Sequence, residues 1–253
     1  MKKFKLTSEF IVDISGVKLF RIKALIEFGN VKAGDLGGYI EKEENLSHMG
    51  DAWIYGDAQI SGNAQVFGNA RVFGDAWVSG NARVFGNAWV SGNARVSGDT
   101  QVYGDAQISG NAQVFGNAWV SGNARVSGDT QVFGDAWVFG DAQVSGNARV
   151  FGDAQVFGNA RVFGNAWVSG DAWIYGDARV SGDKDYAYAH GFGSCNRTTT
   201  FFRLKDGDVG VRCGCFYGTL AQFRDKVCET HGETKKAQEY LMLADLMEIR
   251  FKN

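Results

Sequence analysis

The sequence lacks proline, and its 253 residues include three histidines and four cysteines. The cysteines all fall late in the chain, which argues against the disulfide framework of a small secreted fold. No run of about 18 apolar residues is present, and the first residues lack the apolar core of a signal peptide. A net charge of -2 does not indicate a general nucleic-acid or membrane-surface binder. We therefore expect a cytoplasmic protein.

Glycine, by contrast, is abundant, and most of the 35 glycines recur at a fixed interval. From Gly50 to Gly182 a glycine stands at every sixth position, which bounds 22 uninterrupted hexads. Within each hexad, position two is Asp or Asn, position three is Ala or Thr, and position five is Val or Ile. Asp and Asn interchange freely, so we interpret position two as a turn residue and not as a metal ligand. Such a period is the signature of a repeat architecture.

Each hexad predicts a short strand followed by a turn. The residues at positions three and five lie two apart, so both point to one face of an extended strand. Glycine followed by Asp or Asn favours a turn, because both residues tolerate positive φ. Three hexads per coil would build a triangular prism with coils about 4.8 Å apart, filled by Val and Ala. We therefore predict a parallel β-solenoid of about seven coils over residues 50–182, roughly 35 Å long.

Positions four and six of each hexad point outward, and grouping the hexads in threes separates three faces. One face carries a column of aromatic residues, which we call the aromatic ladder. Its members are Phe67, Phe85, Tyr103, Trp119, Trp137, Phe139, Phe157, Trp173 and Tyr175. Monomers rarely leave so large an apolar stripe bare. Three interpretations of the stripe are open. The C-terminal helix covers it, it joins copies of the chain in a dimer or trimer, or it docks a glycan or a protein partner.

The array holds seven Arg and eleven Asp residues, so its net charge is negative. A nucleic-acid track would need the opposite sign. The outward faces therefore give no reason to expect a nucleic-acid partner.

Residues 1–49 form the N-terminal cap that an open solenoid end requires. Residues 10–14 and 17–22 alternate as strands around the turn Ser15-Gly16, which predicts a β-hairpin. Residues 30–40 resemble an irregular first coil.

A family resemblance rests on three segments: Asn30 to Gly38 (NVKAGDLGG), Asn45 to Ser47 (NLS) and Gly50 to Tyr55 (GDAWIY). They resemble the opening of the YdcK-like hexapeptide-repeat proteins of bacteria and phages, over about residues 25–180. The resemblance implies a left-handed β-helix with no established activity. Handedness does not follow from the spacing, because the general rule for parallel crossovers favours the right-handed form.

Residues 183–253 change composition and predict a small α+β module. A hairpin over residues 198–213 precedes a capping box formed by Thr219 and Gln222. The first helix is expected to end at His231-Gly232, and a second helix to span residues 234–250. Two sequence blocks, GSxNxTTTF and CGCFxGT, resemble a phage and prophage module of unknown function.

The resemblance to left-handed β-helix proteins implies one enzymatic alternative, acyl transfer, because many proteins with that fold are acyltransferases. Such enzymes need a general base, usually a histidine. The hexads contain no His, Lys or Glu, and His48, His190 and His231 lie outside them. We therefore expect no catalytic residue and no cofactor.

Two weaker sites are proposed in the C-terminal module. Zinc is the metal that a site with thiolate and imidazole ligands would hold, with Cys213, Cys215, Cys228 and His231 as candidates. Burial between a hairpin and a helix explains these cysteines equally well. An anion site would use Ser194, Asn196, Arg197, Thr198 and Arg203, because glycine-rich loops bind phosphate through backbone N–H groups.

The sequence therefore predicts a non-enzymatic, phage-associated scaffold that self-assembles or docks a partner through the aromatic ladder. The alternative is a protein that binds or sequesters a small anion or nucleotide through its C-terminal module.

Overall fold

The computed structural model describes residues 1–193 and 197–252. The chain begins with β1 (Phe4–Val12) and β2 (Lys18–Ala24), an antiparallel hairpin that confirms the predicted one. Strand β1 begins at Phe4, well before the predicted segment. Strand β3 (Leu36–Ile40) pairs antiparallel with β2 and parallel with the next strand on its face, so the hairpin sheet runs directly into the solenoid.

Twenty-two strands of two residues each, β4 to β25, then follow at six-residue intervals and form three parallel sheets. Between the first and last coils of the array, each strand pairs with the strands 18 residues before and after it, as Trp89 does with Arg71 and Gln107. This register confirms three hexads per coil. The coil ahead of the array adds a rung, so there are about eight turns and not seven.

Each face of the solenoid is named for its strands. The β4 face holds β4 (Trp53–Ile54), β7 (Arg71–Val72), β10 (Trp89–Val90), β13 (Gln107–Ile108), β16 (Arg125–Val126), β19 (Gln143–Val144), β22 (Arg161–Val162) and β25 (Arg179–Val180). The β5 face holds β5 (Gln59–Ile60), β8 (Trp77–Val78), β11 (Arg95–Val96), β14 (Gln113–Val114), β17 (Gln131–Val132), β20 (Arg149–Val150) and β23 (Trp167–Val168). The aromatic face holds β6 (Gln65–Val66), β9 (Arg83–Val84), β12 (Gln101–Val102), β15 (Trp119–Val120), β18 (Trp137–Val138), β21 (Gln155–Val156) and β24 (Trp173–Ile174).

The interior of the rod is built from positions three and five of every hexad, all fully buried. Full burial of a Val or Ile side chain contributes about 1.5–3 kcal/mol. The corners need glycine for two reasons. At Gly110, φ is +69°, and a Cβ atom would lie 2.9 Å from the amide nitrogen of Gly128 in the next coil.

Two buried polar side chains close the N-terminal end. The Lys3 ammonium donates hydrogen bonds to the carbonyl oxygens of Gly50 and Ala52, at 3.2 and 2.8 Å. The Asn45 amide donates to the carbonyls of Gly62 and Ala64, at 3.1 and 2.8 Å. Asn45 ends a short 3-10 helix (Glu43–Asn45). These contacts satisfy carbonyl groups of the first coils.

The C-terminal module contains a four-stranded antiparallel sheet of β26 (Tyr186–Ala189), β27 (Thr199–Arg203), β28 (Val209–Cys213) and β29 (Phe216–Thr219). Helices α1 (Leu220–His231) and α2 (Lys235–Phe251) follow, and a 3-10 helix (Asp183–Asp185) precedes the sheet. The predicted hairpin and both helices are confirmed, whereas the two outer strands were not predicted. In the described residues, no helix is long and apolar enough to span a membrane.

This module closes the other end of the rod. The Tyr186 hydroxyl donates a 2.5 Å hydrogen bond to the carbonyl of Trp167, and Phe202 joins the buried core of the solenoid. Leu204 bridges to Ala178 in the last coil. Both ends of the β-solenoid are therefore covered by elements of the same chain.

Candidate functional site: the aromatic ladder and the grooves at its ends

The aromatic residues predicted from the sequence to form the ladder are linked by ring contacts in the structure. Phe67 stacks on Phe85 at 4.8 Å between ring centroids, and Phe85 stacks on Tyr103 at 5.0 Å. Phe139 and Phe157 stack at 4.7 Å. The planes within each pair differ by 8° or less, because parallel pairing places equivalent residues directly above one another.

Tryptophans carry the ladder past Ser121, the one position in this column without a ring. Trp119 and Trp137 stack at 4.9 Å. Each also makes an edge-to-face contact with the rings that flank the gap, Trp119 with Tyr103 and Trp137 with Phe139, both at 6.4 Å. Ring contacts therefore run without interruption from Phe67 to Tyr175.

Stacking determines which part of each ring is available to a partner. Along the stacked runs, both faces of an interior ring such as Phe85 are occupied by its neighbours, so the ring edges point outward. Trp137 is the most open ring of the ladder, at 41% exposed. A glycan that stacks on ring faces finds those faces occupied, whereas an apolar protein surface can pack on the edges.

The C-terminal helices leave the ladder open. Their buried residues, including Phe223, Tyr240 and Met247, pack on Phe201 and Val211 of the C-terminal sheet. Helix α2 also turns three apolar side chains to solvent, Met242, Leu246 and Ile249. The interpretation in which the C-terminal helix covers the aromatic stripe is therefore wrong, because the buried side of the helix packs on the C-terminal sheet.

A groove of about 680 Å³ lies where the last coils meet the C-terminal sheet, and we call it the junction groove. It is lined by Asp153, Gln155, Asp171, Trp173, His190, Arg197, Thr198, Arg212, Gly214 and Cys215. The Arg212 guanidinium lies over the Trp173 ring, with its carbon 5.4 Å from the centroid. His190 Nδ1 is 2.9 Å from Thr198 Oγ1 and 3.7 Å from Asp171. Two guanidinium groups therefore line the groove with two carboxylates.

The structure describes three of the five residues predicted for the anion site. Arg197 and Thr198 line the junction groove, whereas Ser194 and Asn196 lie outside the described residues. Arg203 points elsewhere: its guanidinium donates hydrogen bonds to the carbonyl oxygens of Gly207 and Phe251.

At Gly193, the backbone N–H is not available to an anion. The Gly193 N–H already donates to the Glu239 carboxylate at 2.8 Å. A carboxylate of the chain itself therefore occupies that amide, whereas the Arg197 and Arg212 side chains line the junction groove.

The zinc-site candidates Cys213, Cys215, Cys228 and His231 are not brought together. Cys213, Cys215 and His231 border a cavity of about 200 Å³, while Cys228 is exposed on α1. Among the described residues, no three His, Cys, Asp or Glu side chains are arranged to hold a metal ion. The explanation by packing fits Cys213, which accepts a hydrogen bond from Thr199 Oγ1 at 3.1 Å.

A second groove, of about 550 Å³, lies at the N-terminal end of the ladder, which we call the N-terminal groove. It is lined by Glu43, Glu44, Leu46, Ser47, His48, Gln65, Val66 and Phe67. Sequence reasoning missed it, because a Glu and a His five residues apart form no recognisable motif.

The His48 imidazole in this groove is held on both sides. Its Nδ1 accepts from the Lys3 backbone N–H at 3.1 Å, and its Nε2 lies 2.6 Å from Glu43. Hydrogen bonds from Lys2 and His48 lower the pKa of Glu43. His48 also stacks on Phe4 at 4.4 Å. Because both ring nitrogens are engaged, the imidazole has no free lone pair to serve as a general base.

The fold and its surface define this chain as a capped parallel β-solenoid repeat protein. A family model described as the YdcK Beta solenoid repeat matches seven segments of it. They are residues 64–80, 76–92, 89–104, 106–122, 118–134, 142–156 and 154–170. These segments, all within residues 64–170, are therefore similar to the YdcK Beta solenoid repeat. Comparison with curated proteins gives no match.

Proposed function

We propose that this protein is a non-enzymatic scaffold whose aromatic face joins copies of the chain into a dimer or trimer. The observation that carries the proposal is the outward row of ring edges from Phe67 to Tyr175, which neither helix of the described C-terminal module covers. Aromatic residues are enriched at interfaces and charged residues are depleted at their centres. Arg83 is the only charged residue at an outward strand position of this face.

Association through this face agrees with the shape of the rod. Rungs stacked at a constant spacing give a straight, preorganised surface, so little side-chain freedom is lost when two copies meet. The stacked rings are already restrained by their neighbours, which lowers that loss further. Closed symmetric assemblies are the usual form of soluble oligomers.

The test is the solution mass of the full chain by light scattering. A variant with Phe85→Ser, Phe139→Ser and Phe157→Ser removes three rings of the ladder. The matched control is Phe115→Ser, Phe133→Ser and Phe151→Ser, which removes a stacked run with 5.0 Å spacings from the β5 face. We expect an oligomer for the native chain and the control, and a folded monomer for the ladder variant.

We expect both triple variants to fold, because all six rings point outward and their removal leaves the core intact. Circular dichroism checks this. A native monomer contradicts the proposal. So does a ladder variant that keeps the mass of the native chain.

We further propose an association with phages or prophages, in the cytoplasm of a bacterial host. This part rests on the similarity of the opening segments and of the C-terminal blocks to phage and prophage proteins. Its test is the gene neighbourhood of close homologues: genes for phage proteins next to them support the association, and their consistent absence contradicts it.

A second candidate function is the binding of a small anionic ligand in the junction groove. The observation that favours it is the meeting of Arg197, Thr198 and Arg212 beside Trp173, at the end of the ladder. Guanidinium groups suit phosphate and carboxylate, and an aromatic ring beside them suits a planar group. Asp153 and Asp171 restrict the ligand, because they repel anionic groups and accept hydrogen bonds from hydroxyl or amino groups.

Calorimetry with adenosine monophosphate and with inorganic phosphate tests this candidate. We expect nucleotide binding to be lost in Arg197→Gln and retained in Arg125→Gln, an arginine on the β4 face. Equal binding by the two variants, or no binding by the native chain, contradicts it. Phosphate binding without nucleotide preference contradicts the role of Trp173.

A further inference from the structure

The gap at Ser121 has the dimensions of a missing ring. Residue 121 stands 18 residues after Tyr103 and 18 before Phe139, so a ring is absent from one rung of the ladder. Two rungs of about 4.8 Å place the Tyr103 and Phe139 rings roughly 9.6 Å apart. A ring at the midpoint would lie about 4.8 Å from each, which matches the 4.7–5.0 Å spacings found along the ladder.

The edge-to-face contacts of the tryptophans also indicate a missing ring at residue 121. Elsewhere, a position-six ring contacts the tryptophan 16 residues later edge-to-face, as Tyr103 does with Trp119 and Phe157 with Trp173, both at 6.4 Å. By this rule the partner of Trp137 is residue 121, a serine. Trp137 lacks that contact and is accordingly the most exposed ring of the ladder.

The space is a defined cavity and not a flat surface. It has a volume of about 120 Å³ and is lined by Tyr103, Trp119, Ser121, Trp137 and Phe139. For comparison, an engineered apolar cavity of about 150 Å³ binds benzene. The volume of the cavity therefore suits a single six-membered ring.

We propose that the gap at Ser121 is a binding site for one single-ring aromatic molecule, which completes the ladder. The ring stacks between Tyr103 and Phe139 and presents its edge to Trp119 and Trp137. Aromatic pairs gain from offset-stacked and edge-to-face geometry beyond the burial of apolar area, so the four walls favour an aromatic ring over a saturated ring of similar size. The hydroxyl groups of Ser121 and Tyr103 add polar partners at the cavity, which suits a phenol.

This inference goes beyond self-association, because all walls of the cavity belong to one chain. The two proposals also fail separately, since self-association is tested by mass and the ring site by local spectroscopic change.

The test uses phenol and cyclohexanol as probes of the full chain, with the indole N–H signals of Trp119 and Trp137 followed by NMR. We expect phenol to shift these two signals saturably, with an affinity on the order of millimolar for so small a ligand. We expect cyclohexanol to bind at least about threefold more weakly, because it lacks the aromatic contacts.

Ser121→Phe places a ring of the chain itself in the gap. We expect this variant to lose phenol binding and to melt at a higher temperature than the native chain. The matched control is Ser127→Phe, the same position of a hexad on the β4 face, where position six of the coils on either side is also serine (Ser109 and Ser145). It should keep phenol binding.

Three results overturn the proposal: no phenol-dependent shift in the native chain, equal affinity for phenol and cyclohexanol, or phenol binding that survives Ser121→Phe.

Discussion

Tyr217 of the C-terminal sheet packs edge-on against Tyr175, the last ring of the aromatic ladder, with centroids 4.7 Å apart and planes at 82°. The Tyr217 hydroxyl occupies the space in which a Cβ atom of Gly176 would stand. Burial raises the pKa of Tyr217. The ladder therefore ends against the C-terminal module, which protects its last ring while leaving the rings before it open.

The corner glycines predict a difference between two alanine substitutions. Gly110 and Gly34 both have positive φ, +69° and +96°, but only Gly110 has the next coil against it. We expect Gly34→Ala to lower the free energy of unfolding by about 1–2 kcal/mol, from backbone strain alone. Gly110→Ala adds the collision with Gly128, for a total of about 3 kcal/mol. Thermal unfolding followed by circular dichroism measures both. Equal losses would show that the coils can separate locally.

Two threonines inside the rod predict opposite responses to valine. The Thr100 hydroxyl donates to the carbonyl of Ser97 at 3.1 Å, whereas the buried Thr130 hydroxyl has no hydrogen-bond partner. Valine has the same shape and no polar atom. We expect Thr130→Val to raise the free energy of unfolding by about 1 kcal/mol and Thr100→Val to lower it by about 1 kcal/mol. Denaturant titration of the two variants checks the signs, and a common sign would refute this assignment.

Lys3 predicts a pH dependence of stability. Burial lowers its pKa to about 8, against the opposing effect of Asp51. Between about pH 8 and pH 10.5 the unfolded chain therefore holds a proton that the folded chain has released, so stability rises with pH across this window. The 2.5-unit difference (10.5 minus 8) sets an upper limit of about 3 kcal/mol.

The measurement is the melting temperature of the native chain and of Lys3→Met from pH 7 to pH 10.5. The variant removes the titrating group, so its stability relative to the native chain should be greatest near pH 7 and should decline towards pH 10.5. A constant difference would mean that Lys3 stays protonated in the folded chain.

The 18-residue register predicts that two deletions separate fold from surface. Removing residues 104–121 deletes one coil and brings Phe139 directly above Tyr103, so the ladder becomes shorter and loses its gap. Removing residues 104–109 leaves equally good coils but moves every later side chain to a neighbouring face. We expect both proteins to fold and only the first to self-associate, as measured by circular dichroism and light scattering. Similar masses for the two deletions would contradict the role of the ladder.

Most of the rod was predictable because the residues of each hexad determine its local structure. Burial at two positions and positive φ at glycine determine the coil, and the period of 18 then places Phe67 below Phe85 without further information. The capping box of Thr219 and Gln222 likewise marked the start of α1, since both hydrogen bonds are local.

The outer strands β26 and β29 and the junction groove depend on contacts between distant segments. Nothing local to Asp171 or His190 indicates that they lie 3.7 Å apart. The sequence also did not predict that both ring nitrogens of His48 are hydrogen-bonded, or that Arg203 donates to the carbonyl of Phe251 at the end of α2. They arise where the regular array meets its caps, and there the repeat no longer determines the neighbours.

The N-terminal groove and the junction groove lie at opposite ends of the same face, and their separation has a consequence of its own. Six coil steps from Phe67 to Trp173 and Tyr175 set it at roughly 29 Å. Because backbone hydrogen bonds on three faces hold each coil to the next, the rod fixes the distance between the two grooves. Molecules held at its two ends would face the same way at a preset distance, and that distance could change only in graduations of one coil.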